Sequence, residues 1–378
     1  MKILKNITVF TMVMLLSVST VLEAREKNIS NFSSSASNLV DSTGTFDGNK
    51  IYADVANNGL FLDYHVSGDS ALEWPKGTGV HSIFQSALWM GATVNGSIRT
   101  IVGDYTQDMG PGPWGGDPLA AVHRIYKVEK SMLASPLDFA DFQEWPVEFG
   151  APWVDVDGDG VYTPLPGGTD HPEFLGDQVL WFVSNDGDPA YKLNFGTSPM
   201  NVEIQTTMFG FDRPDVFGDM VFLKQLVINK GSDDLVDTYM GLWSDPDLGY
   251  AGDDFVGCDV ALGMGYVWND GDDSQYSTLD IGTPAAGYDF FQGPMVPCED
   301  GDSEEVCPTE GAKMFGTRHP GMKNLKMSSF AFYINGDATY TDPSDETEGY
   351  FYLQGLRKDG SAYPAEIAGD LYLSLIHI

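Results

Sequence analysis

The chain has 378 residues, of which 55 are acidic and 20 basic, for a formal net charge of −35. A surface so acidic repels phosphate backbones and anionic lipid, which excludes nucleic acid and acidic membranes as partners. Hydrophobic residues at 42% exclude intrinsic disorder, and 43 glycines with 21 prolines, scattered without period, exclude a helical bundle or coiled coil.

Lys2 and Lys5, an apolar run over 7–22 and the small Ala24 before Arg25 read as a secretory signal over residues 1–24. The run is short for a membrane span and is broken by Thr8, Thr11 and Ser17. The expected location is therefore secreted or cell-surface, with export through the inner membrane and no integral span after cleavage. Residues 25–48 are Ser/Asn-rich and read as a flexible lead-in.

From residue 49 to 150 the pattern is a β-rich region. Leu60-Phe61-Leu62 and the segment from Ile83 to Met90 are short, apolar and bounded by turn residues, and Asn95-Gly96 marks a tight hairpin. One helix is predicted, capped by Ser135, started by Pro136 and stopped by Pro146 after Trp145. A weak boundary falls at 146–154, and a second β-rich region follows over 151–372. Its predicted strands are 179–183, 202–209 and 220–228, the second alternating as if one face were wet, and 330–334 before Asn335-Gly336. Residues 373–378 end abruptly and read as an artefactual or truncated end. The expected fold class is mainly β: antiparallel, β-sandwich-like sheets with long acidic loops and very little helix.

The sharpest local pattern is Asp155-Val156-Asp157-Gly158-Asp159-Gly160-Val161-Tyr162. Carboxylates at alternate positions converge on a hard cation, glycine permits the sharp turn, and the Val161 carbonyl adds an oxygen. The loop begins like an EF-hand loop, but its twelfth position is Pro166, so the remaining ligands must come from Asp170, Glu173 or Asp177. Calcium is the expected cofactor, against the plainer reading of a solvated acidic turn. Cys298 and Cys307 flank an acidic loop and suit a disulfide in an oxidising compartment, which leaves Cys258 as a buried thiol or a partner for something downstream.

No GxSxG, HExxH, CxxC or glycine-rich phosphate loop occurs, and the six histidines are dispersed, so no catalytic residue is assigned. Glu73 beside Trp74, Glu144 beside Trp145, and Asp245 near Trp243 are the neighbours a sugar-cleaving carboxylate pair would use. Trp74, Trp114, Trp145 and Trp153 sit in turns where a ligand-stacking platform could stand. Trp89, Trp181, Trp243 and Trp268 lie in apolar runs and are expected in the core.

Several phrases together carry a resemblance. They are Trp74-Pro75-Lys76-Gly77-Thr78-Gly79, Ala87-Leu88-Trp89-Met90-Gly91-Ala92, Glu144-Trp145-Pro146, Leu242-Trp243-Ser244-Asp245-Pro246-Asp247-Leu248-Gly249 and Gly287-Tyr288-Asp289-Phe290-Phe291-Gln292-Gly293-Pro294. Over about residues 50–370 the chain resembles the N-terminal region of large uncharacterised secreted or surface proteins of bacteria with a type IX secretion system. The resemblance implies export and a β-rich architecture, and carries over no catalytic residue. The expected role is a non-catalytic, calcium-stabilised surface protein for adhesion, scaffolding or glycan contact, with a glycan or surface protein as partner. The rival expectation is a secreted polysaccharide-active enzyme of glycoside hydrolase type.

Overall fold

A computed structural model describes residues 43–165, 170–259, 261–334 and 337–364. The predicted signal, the lead-in up to residue 42, Pro166, the Asn335-Gly336 turn and the chain end lie outside these residues. In the first half the strands are β1 (Thr43–Phe46), β2 (Tyr52–Ala56), β3 (Leu60–Leu62), β4 (Leu72–Glu73), β5 (His81–Ile83), β6 (Gln85–Val94), β7 (Ser97–Ile101), β8 (Gly110–Pro111) and β9 (Tyr126–Glu129). Then come helix α1 (Ala140–Gln143) and strands β10 (Trp153–Val154), β11 (His171–Pro172), β12 (Gln178–Asn185), β13 (Val202–Gly210), β14 (Phe222–Asn229) and β15 (Val236–Asp245). Strands β16 (Asp254–Asp259), β17 (Met264–Asn269) and β18 (Ala286–Asp289), several two-stranded ribbons and helix α2 (Glu346–Leu353) complete the described chain. The protein is mainly β and its sheets are antiparallel.

Two sheets form the centre, one with strand order β14-β13-β12-β8 and β9 alongside β12, the other β15-β6-β3 with β7 on β6. Both combine strands from either side of residue 150. Alternation along the strands explains how they pack. On β12 and β13 the even-numbered Leu180, Phe182, Val202, Ile204 and Met208 turn inward; the first two and Met208 meet Phe46, Val55 and Ile83, and Val202 and Ile204 meet Leu88, Met90, Val94 and Ile101 of the other sheet. Asn95 (φ 52°) and Gly96 (φ 80°) close the predicted β6–β7 hairpin in the left-handed conformations such a turn requires.

The wet face expected on β13 is absent. Only two of its nine residues are more than slightly exposed, because the 121–153 segment covers that side. There Val179, Trp181 and Val183 pack against Tyr126, Val128, Phe142 and Trp145. The opposite sheet is covered as well: Trp89 and Trp243 lie under Tyr350, Tyr352 and Leu353 of α2. Gly91 is where the helix rests, since a Cβ there would sit 2.6 Å from the Tyr350 ring and 2.9 Å from Leu353.

Three local expectations are corrected. Residues 130–143 form short 3-10 turns and the one-turn α1 instead of a helix continuous to Trp145, and the Ser135 side chain caps nothing. Residues 331–334 are not a strand; only Phe330 makes a bridge. Helix α2 was unexpected, and Asp345 caps it by accepting from the amides of Thr347 (3.0 Å) and Glu348 (2.9 Å).

Candidate functional site

Strands β10 and β11 pair as a short hairpin, Trp153 opposite Pro172 and Val154 opposite His171. Its loop brings Asp155, Asp157, Asp159 and Asp170 together, with one carboxylate oxygen of each within 4.8 Å of the others. The loop builds this arrangement from its own amides. Asp155 accepts from Gly158 (2.7 Å) and Gly160 (2.9 Å), Asp157 from Asp159 (3.2 Å), and Asp159 from Val161 (2.7 Å). Gly158 (φ 78°) and Gly160 (φ 76°) supply the left-handed turns. Asp170 alone is buried, at 1% exposure, and its two oxygens tie the loop's ends by accepting from Val156 (2.9 Å) and Thr163 (2.8 Å).

Among the other expected ligands, Asp177 lies elsewhere: it precedes β12, where it pairs with Lys130 (3.4 Å) and accepts from the Asp212 amide (3.0 Å). Glu173 faces Lys224 at 3.8 Å. The Val161 carbonyl accepts from Thr163 Oγ1 at 3.4 Å. The quartet is an all-oxygen set of hard donors, which suits calcium or magnesium and not a soft metal. Tyr162 anchors the loop to the cover, its ring edge-on to Trp153 and its hydroxyl donating to the Phe142 carbonyl (2.6 Å).

The four loop tryptophans separate by burial. Trp145, expected as a platform, is 2% exposed and belongs to the core under the sheet, its indole N–H donating to Pro152 O. Trp153 is half-buried in the hairpin against Tyr162. Trp74 is half-buried too, packing beside Tyr276 and donating to Asp219 (2.9 Å). Trp114 stands out at 44% exposure. Trp268, expected in the core, is also partly exposed and packs on Phe255. Cys298 and Cys307 form the expected disulfide, with Cα atoms 5.9 Å apart, and Cys258 is buried beside Phe330.

The acid–tryptophan neighbours are mostly engaged otherwise. Glu73 accepts from the Gly79 amide (2.6 Å) and Glu144 pairs with Arg124 (2.7 Å). Asp245 accepts from Tyr105 Oη (3.0 Å), beside a buried group that sequence reasoning missed. Asp104 is pushed up to about 7, first by burial and then, in the same direction, by the charge of Asp342. Burial also holds the Tyr105 and Tyr333 hydroxyls well above their ordinary value. A lone Asp in Gly103-Asp104-Tyr105 carries no sequence mark of this, because the desolvation comes from segments remote in the chain. Elsewhere Lys192 is buried with Asp108 (2.8 Å) and Asp186 (4.0 Å), a paired charge cluster that ties the 186–192 loop to β7 through Thr100 O.

No helix among the described residues is long and apolar enough to cross a membrane. The chain matches no protein-family model, no curated protein and no solved structure.

Proposed function

We propose that the chain is an exported, non-catalytic cell-surface or extracellular protein, serving adhesion, scaffolding or glycan contact, whose β10–β11 hairpin is held by a calcium ion. The export signal over 1–24, the resemblance to surface proteins of bacteria with a type IX secretion system and the disulfide support the location. The carrying observation is the quartet Asp155, Asp157, Asp159 and Asp170, four carboxylates within 4.8 Å of one another. Four like charges so close repel, and a divalent cation converts the repulsion into a cross-link between the loop and Asp170. An extracellular module of this kind works at Kd of about 10⁻⁴–10⁻³ M. At about 10 mM free calcium, roughly 10 to 100 times that Kd, binding adds about 1.4–2.7 kcal/mol to stability.

Thermal melting of the purified chain tests this. Calcium at millimolar concentration is expected to raise Tm by a few degrees, chelator to reverse it, and Asp155→Asn with Asp159→Asn to abolish the response. An unchanged melting point with and without chelator counts against the ion.

One observation favours the rival enzyme reading: Asp104, holding its proton to about pH 7 near Asp342, with Tyr105 next in the chain bonded to Asp245, has the character of a general acid. Reducing-sugar release from a polysaccharide panel, lost in Asp104→Asn, would establish it; no release from any substrate leaves the non-catalytic reading in place.

A further inference from the structure

At the edge of the central sheet, the loops that follow β8 and β12 enclose a cavity of about 310 Å³. Trp114 and Asp188 stand at it, Tyr191 lines it, and the rest of its wall is mostly glycine and proline. The glycines are required. A Cβ at Gly187 would sit 2.6 Å from the Trp114 ring, one at Gly110 would sit 3.0 Å from Tyr191, and one at Gly116 would sit 2.8 Å from His123.

Trp114 is exposed and yet fixed. Its backbone amide donates to Glu203 Oε2 (2.9 Å) and its indole N–H to Asn201 Oδ1 (3.2 Å), residues more than eighty positions away in the chain. The amide bond fixes the backbone and the indole bond restricts the ring, so less rotamer freedom is lost when something stacks on it, which is how rigid anchors gain affinity. Asp188 is exposed and uses one oxygen, Oδ1, to cap Ala190 N (2.9 Å), so its carboxylate adds hydrogen-bond acceptor capacity beside the ring. Among the described residues no lysine or arginine lines the cavity, and the whole chain carries −35, so an anionic ligand is disfavoured twice.

We propose that this cavity is a binding subsite for an uncharged sugar ring, which lays its C–H face on Trp114 and donates a hydroxyl hydrogen bond to Asp188. A pyranose combines the properties the walls ask for: one flat apolar face, a rim of hydroxyl donors and no charge. The inference deepens the glycan-contact reading and takes from it only the source of the ligand; the ion at the β10–β11 hairpin is independent of it.

The test titrates the full chain with neutral gluco-, xylo-, manno- and chito-oligosaccharides. An oligogalacturonate serves as anionic control and tetralysine as cationic control, each with calcium and with chelator. Affinity of the wild type and the variants is read by calorimetry, and the site by the indole N–H resonances, of which Trp114's is identified by its absence in Trp114→Phe. At least one neutral oligosaccharide is expected to shift that resonance, with affinity falling about tenfold in Trp114→Ala and about threefold in Asp188→Asn. Should Trp114→Ala fail to fold, Trp114→Phe, with a smaller ring, is expected to weaken binding by about threefold. The proposal is overturned if no neutral sugar moves the Trp114 signal at roughly 10 mM, if binding survives Trp114→Ala unchanged, or if tetralysine binds where sugars do not. Sugar binding that persists in chelator while the melting point ignores calcium would sink the ion and leave the subsite standing; the reverse result would do the opposite.

Discussion

Asp104 shows how one side chain couples the interior to pH. In the unfolded chain an aspartate loses its proton near its ordinary value of 3.8, whereas in the fold burial holds the proton to about 7. Between those values the folded state binds more protons, so the stability this group contributes is complete below about pH 4 and is lost as pH rises toward 7. Asp104→Asn removes the titration. The wild type is expected to lose several degrees more of its Tm than the variant between pH 4.5 and 8, as read by thermal melts across that range. Parallel curves would mean that the carboxyl is solvated in the fold. The loop aspartates Asp155, Asp157 and Asp159 sit in solvent, and their work depends on one another.

At the scale of elements, α2 and the β6–β7 hairpin mark the two extremes of legibility. Asn95-Gly96 was readable because the turn's chemistry is local: only residues tolerant of left-handed backbone can occupy it. Helix α2 was not, since Gly349 and the aromatics of Tyr350-Phe351-Tyr352 argue locally against a helix. Its packing over Gly91 decides the matter. Asp345→Ala, which removes the cap, is expected to cost about 1 kcal/mol in urea denaturation. Gly91→Ala is expected to cost more, because the new methyl meets the Tyr350 ring and lifts the whole helix. The covered face of β13 hid for the same reason, its cover being an irregular segment with no periodic signature. In the aspartate loop the quartet's first three members lay in the alternating aspartates, while choosing Asp170 over Asp177 required the β10–β11 pairing.

Over the whole molecule, −35 charges must share one surface. Their mutual repulsion opposes the compact state, so sodium chloride is expected to raise Tm by screening, most steeply below about 0.1 M where the Debye length exceeds about 10 Å. Calcium should exceed sodium at matched ionic strength, and the excess should vanish in the Asp155→Asn, Asp159→Asn variant. Equal responses to the two salts would reduce calcium to a screening ion. The layered build concentrates variable chemistry at the margins: sheet faces are shut by α2 on one side and the 121–153 segment on the other, and both the aspartate hairpin and the Trp114 cavity are left to the loops.

The hairpin loop presents Val156, Val161 and Leu165 outward, with exposures of 50%, 59% and 48%. Apolar residues on an accessible loop are what a secreted endopeptidase seeks, and a cut there would free Tyr162 from Phe142. Limited digestion with elastase, a serine protease that cuts beside small apolar residues and needs no catalytic metal, should therefore nick the chelated protein first between residues 156 and 165, while the calcium-loaded form stays whole for longer. In a protease-rich habitat the aspartate loop would then set the lifetime of the molecule, quite apart from what the molecule binds.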